Sequence, residues 1–343
     1  MIIAVDTGNR CIKTAHAEPF SAGLNRHYEA KPFVSTDTLF YKGMYYTFSE
    51  TQGGRREDKS VDDYYFILTL AAIAREIVAK KAIIAGKKNG REMRFQEAML
   101  EAKRSGKSYR EDIYLSVGLP PRDMVASRSS QADGDSMVSR YKAYFLRDGK
   151  RLEFVYNGIE FEVCIQDIFV SAQGFAAIYP AEMYSRVVQS PQAYIIDIGG
   201  YTTDIALVAN RKIDLTFFES LDFGVIFLYN EVIDAVRRAH RMEINGVLIE
   251  AVLRGESLGH PGAEETVKKV VAQYAKRLVD ALRDRKVDLE LSLPVLLGGG
   301  AQLMRTPLLE YIPRKDVLLI PDTRANAIGY EVFAARMLRE RSK

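Results

Sequence analysis

Short β-branched apolar runs alternate with longer amphipathic segments along the whole chain. Runs that stop at Gly, Asp or Pro predict strands. They lie within residues 2–17, 42–50, 112–121, 150–170, 194–208, 212–220, 293–303 and 314–320. Apolar residues at helical spacing predict helices over 62–82, 225–240, 244–253 and 263–285, after residue 171, and at the end of the chain. Strands and helices mixed in this way predict an α/β fold.

Two segments add detail to this pattern. Residues 150–170 contain Asn157-Gly158 between two alternating runs, which is a strong signal for a β-hairpin. Residues 80–110 hold ten Lys or Arg against three Glu. This charge is typical of an exposed helix with loops, and it also fits a contact surface for a like subunit or an acidic partner.

The composition is that of an ordinary soluble globular protein, with 47% hydrophobic and 27% charged residues among 343. The net charge of +3 neither requires nor excludes a nucleic-acid partner. Cys11 and Cys164 lack metal-ligand spacing, which argues against a zinc site or a disulfide scaffold. The sequence shows no signal peptide and no membrane-spanning apolar run, so we expect a cytoplasmic protein without a membrane partner.

Two distant stretches, IIAVDTGNRCIKTAHA and YIIDIGGYTTDIALVA, share one arrangement. Each has an apolar strand, Asp, one residue, Gly, a short polar turn and a second strand. The frame D-x-G therefore occurs at Asp6 and Gly8 and again at Asp197 and Gly199. Two similar hairpins predict two related half-molecules.

The residue types in these turns suit a phosphate group. Backbone N–H groups in a tight turn form an anion-binding concavity, and glycine lets a phosphate approach the main chain. A carboxylate beside a polyphosphate would be repelled unless a divalent cation lay between them, and Mg²⁺ typically binds one or two carboxylates together with phosphates. A third glycine cluster at residues 298–300 strengthens this interpretation.

Five segments together resemble the nucleotide-binding segments of the actin-like ATPase superfamily. They are VDTGNRCIK, SAQGFAA, IDIGGYTTDIALV, LLGGGA and ANAIGY, and they occur in the order of that superfamily. Within it, the chain length and DIGGYTTD are most similar to bacterial plasmid-segregation actins of the ParM/StbA type. The resemblance implies a duplicated, ribonuclease H-like, two-domain α/β fold with a nucleotide cleft between the domains. It implies residues 1–168 plus 326–343 as one domain and 169–325 as the other.

The resemblance also implies a role for each matching residue. Asp6 and Asp197 would hold Mg²⁺, largely through water, and Gln173 would orient the attacking water. The residues implied to bind the nucleotide and its phosphates are Thr7, Gly8, Asn9, Lys13, Gly199, Gly200, Tyr201, Thr202, Thr203, Gly224, Gly298, Gly299 and Gly300. The implied cofactors are Mg²⁺ and ATP, with GTP as an alternative.

Two of these positions depart from the segregation actins. Those proteins often carry Glu where this chain has Gln173, and a Gln positions water rather than deprotonating it at neutral pH. Tyr201 replaces a small residue in the second turn. Several positions also have structural alternatives. Lys13 could be a solvated edge residue, Gly224 an ordinary turn residue, and Asp204 a strand cap or ion-pair partner. The tyrosines at 41, 45, 46, 64 and 65 are interpreted as packing.

The implied function is a Mg-dependent ATPase that polymerises into head-to-tail helical filaments, because a heterologous interface that does not close generates helices. Such filaments segregate plasmids through an adaptor protein bound to a centromere-like DNA site, so direct DNA binding by this chain is not expected. The alternatives are a monomeric sugar or metabolite kinase on the same fold and a cell-shape or division actin. A chaperone ATPase would need a substrate-binding domain for which the chain has no room.

Overall fold

The computed structural model describes residues 1–27, 29–32, 37–49, 58–89, 93–121, 123–124 and 136–342. The strands among them are β1 (Ile2–Thr7), β2 (Cys11–Thr14), β3 (Phe20–Ser21), β4 (Gly23–His27), β5 (Thr38–Tyr41), β6 (Met44–Ser49), β7 (Ser108–Leu119), β8 (Arg151–Tyr156), β9 (Ile159–Ala172), β10 (Gln192–Ile198), β11 (Thr203–Ala209), β12 (Lys212–Leu221), β13 (Leu293–Leu297) and β14 (Leu318–Leu319).

The α-helices of the described residues follow the same numbering by chain order. They are α1 (Tyr64–Asn89), α2 (Phe95–Arg104), α3 (Met137–Leu146), α4 (Ala181–Gln189), α5 (Val225–His240), α6 (Gly246–Leu253), α7 (Pro261–Asp284), α8 (Gly299–Leu303), α9 (Arg305–Tyr311) and α10 (Ala325–Arg341). A 3-10 helix spans Phe175–Ile178. None of these helices is long and apolar enough to cross a membrane.

The chain separates into two compact units. Unit 1 comprises Met1–Pro180 and Asn326–Lys343, and unit 2 comprises Ala181–Ala325. The resemblance implies a first boundary at residue 168, whereas unit 1 continues to Pro180. The difference arises because β9 runs to Ala172 within the sheet of unit 1, and the 3-10 helix that follows packs in the same unit. Gln173 consequently lies in unit 1.

Both units contain the same local arrangement of strands. In unit 1 the sheet order is β3-β2-β1-β7-β9-β8-β5-β6-β4, and in unit 2 it is β12-β11-β10-β13-β14. Strands β1 and β10 each pair antiparallel with the strand that follows and parallel with a later strand, β7 or β13. This repetition agrees with the two related half-molecules predicted from the D-x-G hairpins.

Each unit has its own apolar core. In unit 1 every residue from 65 to 79 of α1 is buried, so this helix is enclosed on all sides rather than amphipathic. In unit 2 the apolar faces of α5 and α7 pack over the sheet around Leu228, Val232, Val271 and Leu278. Burial of this kind is the main favourable contribution to folding.

The buried Glu76 carboxylate of α1 is the centre of a polar cluster in unit 1, formed by Glu76, His16, Lys80 and Glu331. The backbone N–H groups of His16 and Ala17 each donate to Glu76 Oε2 at 3.0 Å, and His16 Nδ1 lies 2.6 Å from Oε1. Lys80 contacts Glu331 and donates to the Ile2 carbonyl at 2.7 Å. The cluster thus connects β1, the segment after β2, α1 and α10, and it includes the ammonium of Lys80.

The same contacts determine how Glu76 ionises. Burial alone would raise the pKa of the Glu76 carboxyl. Hydrogen bonds from the His16 and Thr14 side chains and from the Ala17 amide outweigh that effect and hold the pKa below its ordinary value. The ionised form is therefore the form that the folded protein stabilises.

We expect Glu76→Gln to destabilise unit 1 by about 3 kcal/mol at neutral pH, because one partner of a buried charged cluster is removed. Because the folded-state pKa is depressed, the contribution of Glu76 is present above the ordinary carboxyl pKa and is lost as pH falls through the folded-state value. Urea denaturation at several acidic pH values measures the free energy of unfolding. As the pH falls, this free energy should decrease less for the variant than for the parent protein.

A matched control is Glu340→Gln, which removes an exposed carboxylate that pairs with Arg336 on α10. An exposed helix pair contributes little, so this variant should unfold like the parent. Equal stability of the Glu76 and Glu340 variants would contradict the structural role of the Glu76 cluster.

Most predicted elements have counterparts in the structure. The hairpin at 2–17 is β1–β2, the Asn157-Gly158 turn joins β8 to β9, and the helix predicted over 263–285 is α7. The sequence patterns did not predict the short strands β3 to β5 or the helices α2, α3, α8 and α9. The segment at 80–110 forms the end of α1, the helix α2 and the start of β7; its residues 90–92 lie outside the described residues.

Candidate functional site

The first D-x-G turn follows strand β1 in unit 1. Asp6 is only 2% exposed and lies opposite Lys13 across the β1–β2 ladder. Lys13 Nζ lies 3.6 Å from Asp6 Oδ2, so the lysine is an ion-pair partner and not a solvated edge residue. A Cβ on Gly8 would lie 2.7 Å from the Cys11 carbonyl oxygen, so the tight turn requires glycine.

Three side chains distant in sequence hold this turn in place. The Thr7 hydroxyl is 3.3 Å from the hydroxyl of Tyr141, whose burial raises its pKa to about 12. Tyr65 Oη donates to Asn9 Oδ1 at 2.5 Å, and Lys59 Nζ donates to the Thr7 carbonyl. The sequence patterns single out neither Lys59 nor Tyr141, and they assign Tyr65 to packing alone.

Gln173 lies at the same edge of the unit 1 sheet as the first turn. Strands β1, β7 and β9 are parallel, so their carboxyl ends share one edge, which is where open α/β sheets bind ligands. Gln173 directly follows β9, and its N–H donates to the Leu119 carbonyl at 2.8 Å. The next residue, Gly174, has φ of 76° and donates to Asn326 Oδ1 at 2.9 Å. The structure therefore brings Gln173 and the first turn to one edge.

The second D-x-G turn joins β10 to β11 in unit 2. Asp197 is 7% exposed and lies opposite Asp204 in the antiparallel ladder. The Gly199 N–H donates to the Thr202 carbonyl at 2.8 Å, which closes the turn. Asp204 accepts hydrogen bonds from Ser220 Oγ at 2.6 Å and from Thr202 Oγ1 at 3.3 Å. These contacts favour a structural role for Asp204 within the hairpin over a role in binding metal.

The start of helix α5 fixes the backbone of this second turn. Val225 and Ile226 donate their N–H groups to the carbonyls of Gly199 and Gly200, at 3.1 and 2.9 Å. A Cβ on Gly224 would lie 2.3 Å from the Gly200 carbonyl oxygen, so only glycine allows this approach. Gly224 therefore allows the start of helix α5 to pack directly against the backbone of the turn.

The remaining polar residues of the second turn differ in their surroundings. Thr203 is buried, and its hydroxyl donates to the Phe223 carbonyl at 2.5 Å. The half-buried Tyr201 packs its ring edge-to-face against Phe227, with centroids 6.2 Å apart. The Thr203 hydroxyl is therefore committed to the backbone, and the Tyr201 ring packs against Phe227.

The three glycines at 298–300 have separate structural reasons. Gly298 has φ of 89°, and a Cβ there would lie 2.5 Å from Asp197 Oδ1. A Cβ on Gly300 would lie 2.3 Å from the Ile198 side chain, whereas one on Gly299 would meet nothing within 4 Å. The first and third glycines are required for packing against β10, and Gly299 alone leaves open space over the backbone.

Asp6 and Asp197 each have the chemistry of a Mg²⁺ ligand within their own unit. Asp6 and Asp197 each lie near the end of a central strand beside a glycine turn, and carboxylate oxygens are the hard ligands that this ion prefers. The missing side chain of Gly298 leaves space beside Asp197 Oδ1 that any other residue would fill. Each unit, taken by itself, thus holds one buried carboxylate beside a glycine turn.

Comparison with solved structures gives the fold. The chain is similar to the apo pSK41 ParM protein, with 14% identity, a TM-score of 0.64 and coverage of 100% of this chain and 99% of that one. It is similar to an archaeal actin homologue, with 17% identity, a TM-score of 0.67 and coverage of 98% and 99%. A ParM from Clostridium botulinum, solved as a 15-stranded filament, gives 16%, 0.63 and the same coverage.

The chain has the actin-like fold. This confirms the predicted α/β fold class and the ParM-type resemblance at the level of structure. No protein family model matches the sequence, and no curated protein matches it. The actin-like fold is therefore evident here from five short segments and from the structure, at an overall identity too low for conventional sequence matching.

Proposed function

We propose that this protein is an actin-like, Mg-dependent ATPase that polymerises when it binds ATP. The observation that carries the proposal is the matched pair of D-x-G turns, each fixed at the carboxyl end of a central strand in its own unit. Structures of proteins with a similar fold have been solved with nucleotides, namely the archaeal actin homologue with ADP and a Bacillus thuringiensis ParM with AMPPNP. GTP remains an alternative to ATP.

The proposed roles follow from the chemistry of each group. The N–H groups of both turns and the hydroxyl of Thr7 bind phosphate oxygens, and the Thr202 hydroxyl exchanges its long 3.3 Å contact with Asp204 for a phosphate oxygen. Asp6 and Asp197 would hold Mg²⁺, largely through water, and the ion would supply positive charge against the phosphates. Gln173 orients a water toward the γ-phosphorus. The bond from the water oxygen to phosphorus forms as the bond from phosphorus to the bridging oxygen of the diphosphate breaks. Gly299 lies against the adenosine.

Polymerisation and plasmid segregation form the finer part of the proposal. Filaments of similar folds, such as the Clostridium botulinum ParM and Alp12, support head-to-tail assembly of this chain. We propose that the filament acts in the cytoplasm on plasmid DNA through an adaptor protein, and that this chain does not itself bind DNA.

Sedimentation and light scattering test the proposal directly. We expect the protein at micromolar concentration to form sedimenting polymer with Mg·ATP, to form none with EDTA, and to release phosphate as the polymer turns over. A protein that stays monomeric with every nucleotide and transfers phosphate to a sugar would instead be a kinase on the same fold. ATP hydrolysis by a persistent monomer would refute polymerisation while leaving the ATPase assignment intact.

A further inference from the structure

Lys59 places a positive charge at the first D-x-G turn from a separate part of the chain. Its ammonium donates to the carbonyl of Thr7, the last residue of β1, and lies 5.3 Å from the centre of the Tyr65 ring. Tyr65 in turn donates to Asn9 within the same turn. Both ends of the Lys59–Tyr65 pair therefore contact the loop proposed to bind phosphate.

The place of the Thr7 carbonyl on the sheet gives this contact a functional meaning. Because β1, β7 and β9 are parallel, the Thr7 carbonyl lies at the edge where Gln173 follows β9. A cation at this edge stands with the phosphate turn and the residue proposed to orient water. Lysine is a common phosphate ligand because its ammonium is a compact charge on a flexible stem.

Lys59 and Lys13 contact the first turn through different groups. Lys13 lies 3.6 Å from the Asp6 carboxylate, so its charge offsets a negative group that belongs to the site itself. Asp58, next to Lys59, accepts hydrogen bonds from the Ser60 N–H at 2.8 Å and hydroxyl at 2.6 Å, and these bonds lower the pKa of Asp58. Ser60 therefore stabilises the Asp58 charge, whereas the Lys59 ammonium donates to the Thr7 carbonyl.

We propose that Lys59 is a phosphate-binding residue that distinguishes nucleoside triphosphate from diphosphate. In the nucleotide-bound protein its ammonium exchanges the Thr7 carbonyl for an oxygen of the terminal phosphate. This inference rests on the proposed nucleotide-binding function, and it names a ligand that the resemblance does not include. The exchange also links the terminal phosphate to the segment that leads into α1.

The test compares Lys59→Met with the parent protein by nucleotide binding in the presence of Mg²⁺. Methionine keeps the apolar stem and removes the charge. Fluorescent AMPPNP should bind about tenfold more weakly to the variant, since one charged hydrogen bond to phosphate is lost. Fluorescent ADP should bind within about threefold of the parent, because it lacks the terminal phosphate. Lys59→Arg should restore much of the preference for triphosphate.

Lys42→Met is the matched control. Lys42 also lies over a tyrosine ring, at 5.7 Å from the centre of Tyr41, but its ammonium pairs with Asp148 at 2.6 Å and not with the phosphate turn. This variant should bind both nucleotides as the parent does. The comparison separates loss of a lysine–tyrosine contact from loss of charge at the turn.

The possible outcomes separate the inference from the proposed function. If the parent protein binds neither nucleotide, both the function and the inference fail. If the parent binds both and Lys59→Met retains the parent affinities, the function stands and the inference is overturned. An equal weakening of AMPPNP and ADP would also overturn it, because Lys59 would then act only by holding Thr7. Should the methionine variant not fold, binding by Lys59→Gln decides between the same outcomes.

Discussion

Replacing Gly329 with alanine is expected to lower the melting temperature by roughly 6–12 °C, because overpacking should reduce the free energy of unfolding by about 3 kcal/mol. Gly329 lies within α10, and a Cβ there would stand 1.8 Å from the carbonyl oxygen of Ala176 in the 3-10 helix. The obstructing atom belongs to the backbone, so no side-chain rotation relieves the clash. Helix α10 would have to move away from Phe175–Ile178.

Two further contacts prevent α10 from moving freely. Tyr330 is fully buried, and its hydroxyl occupies the position where a Cβ on Gly118 would lie, at 1.9 Å. The Tyr330 carbonyl also accepts a hydrogen bond from Ser116 Oγ at 2.9 Å. Any shift of α10 therefore disturbs its contact with β7. We expect the cost at Gly329 to exceed the gain of about 1 kcal/mol that alanine has over glycine within a helix.

Gly299→Ala is the control for this experiment, measured by the same thermal denaturation. Gly299 begins helix α8, and a Cβ there meets nothing within 4 Å. The same substitution should therefore leave the melting temperature unchanged or slightly raised. A Gly329 variant that melts with the parent would show that α10 does not pack as tightly as described.

Features with a local cause were the most predictable from sequence. The turn at Asn157-Gly158 needs two residues with positive φ, and the structure has values of 53° and 82° there. Asn and Gly tolerate that conformation, so these two residues are enough to predict the hairpin. The D-x-G frames are predictable for a similar reason, because a glycine-containing turn at a strand end has few alternatives.

Features that depend on contacts between distant segments were not predictable. The strand β3 has only two residues, too few to show an alternating pattern. Helix α1 shows a related limit, since Glu76 interrupts its apolar run and nothing in the sequence identifies His16 and Glu331 as its neighbours. Their proximity comes from packing in unit 1.

In the candidate site, too, residues within a local motif could be predicted from sequence, and residues brought in by the fold could not. Asp6 and Asp197 were found because each lies beside its own glycine turn. Lys59 and Tyr141 reach the first turn from segments that carry no motif, so only the fold reveals them. The glycines at 298 and 300 show the reverse case. The sequence suggests a ligand contact, and the structure adds a packing reason for each.

Asp197→Asn is expected to reduce the rate of ATP hydrolysis by about 100-fold or more, the loss typical when a group that stabilises transition-state charge is removed. The amide has nearly the same shape as the carboxylate, so the buried position opposite Asp204 should still be filled and the thermal stability largely kept. Phosphate release at saturating ATP, measured across a Mg²⁺ titration, reports both the rate and the Mg²⁺ concentration required.

Asp204→Asn is the matched control, because it makes the same chemical change directly across the β10–β11 ladder. Asp204 is held by Ser220 and Thr202, so its amide should leave the hydrolysis rate within about threefold of the parent. Unchanged turnover in the Asp197 variant would remove that residue from the mechanism. Equal losses in both variants would mean that the shape of the hairpin matters and not the Asp197 charge. Only a loss confined to Asp197 supports a carboxylate that acts on the nucleotide.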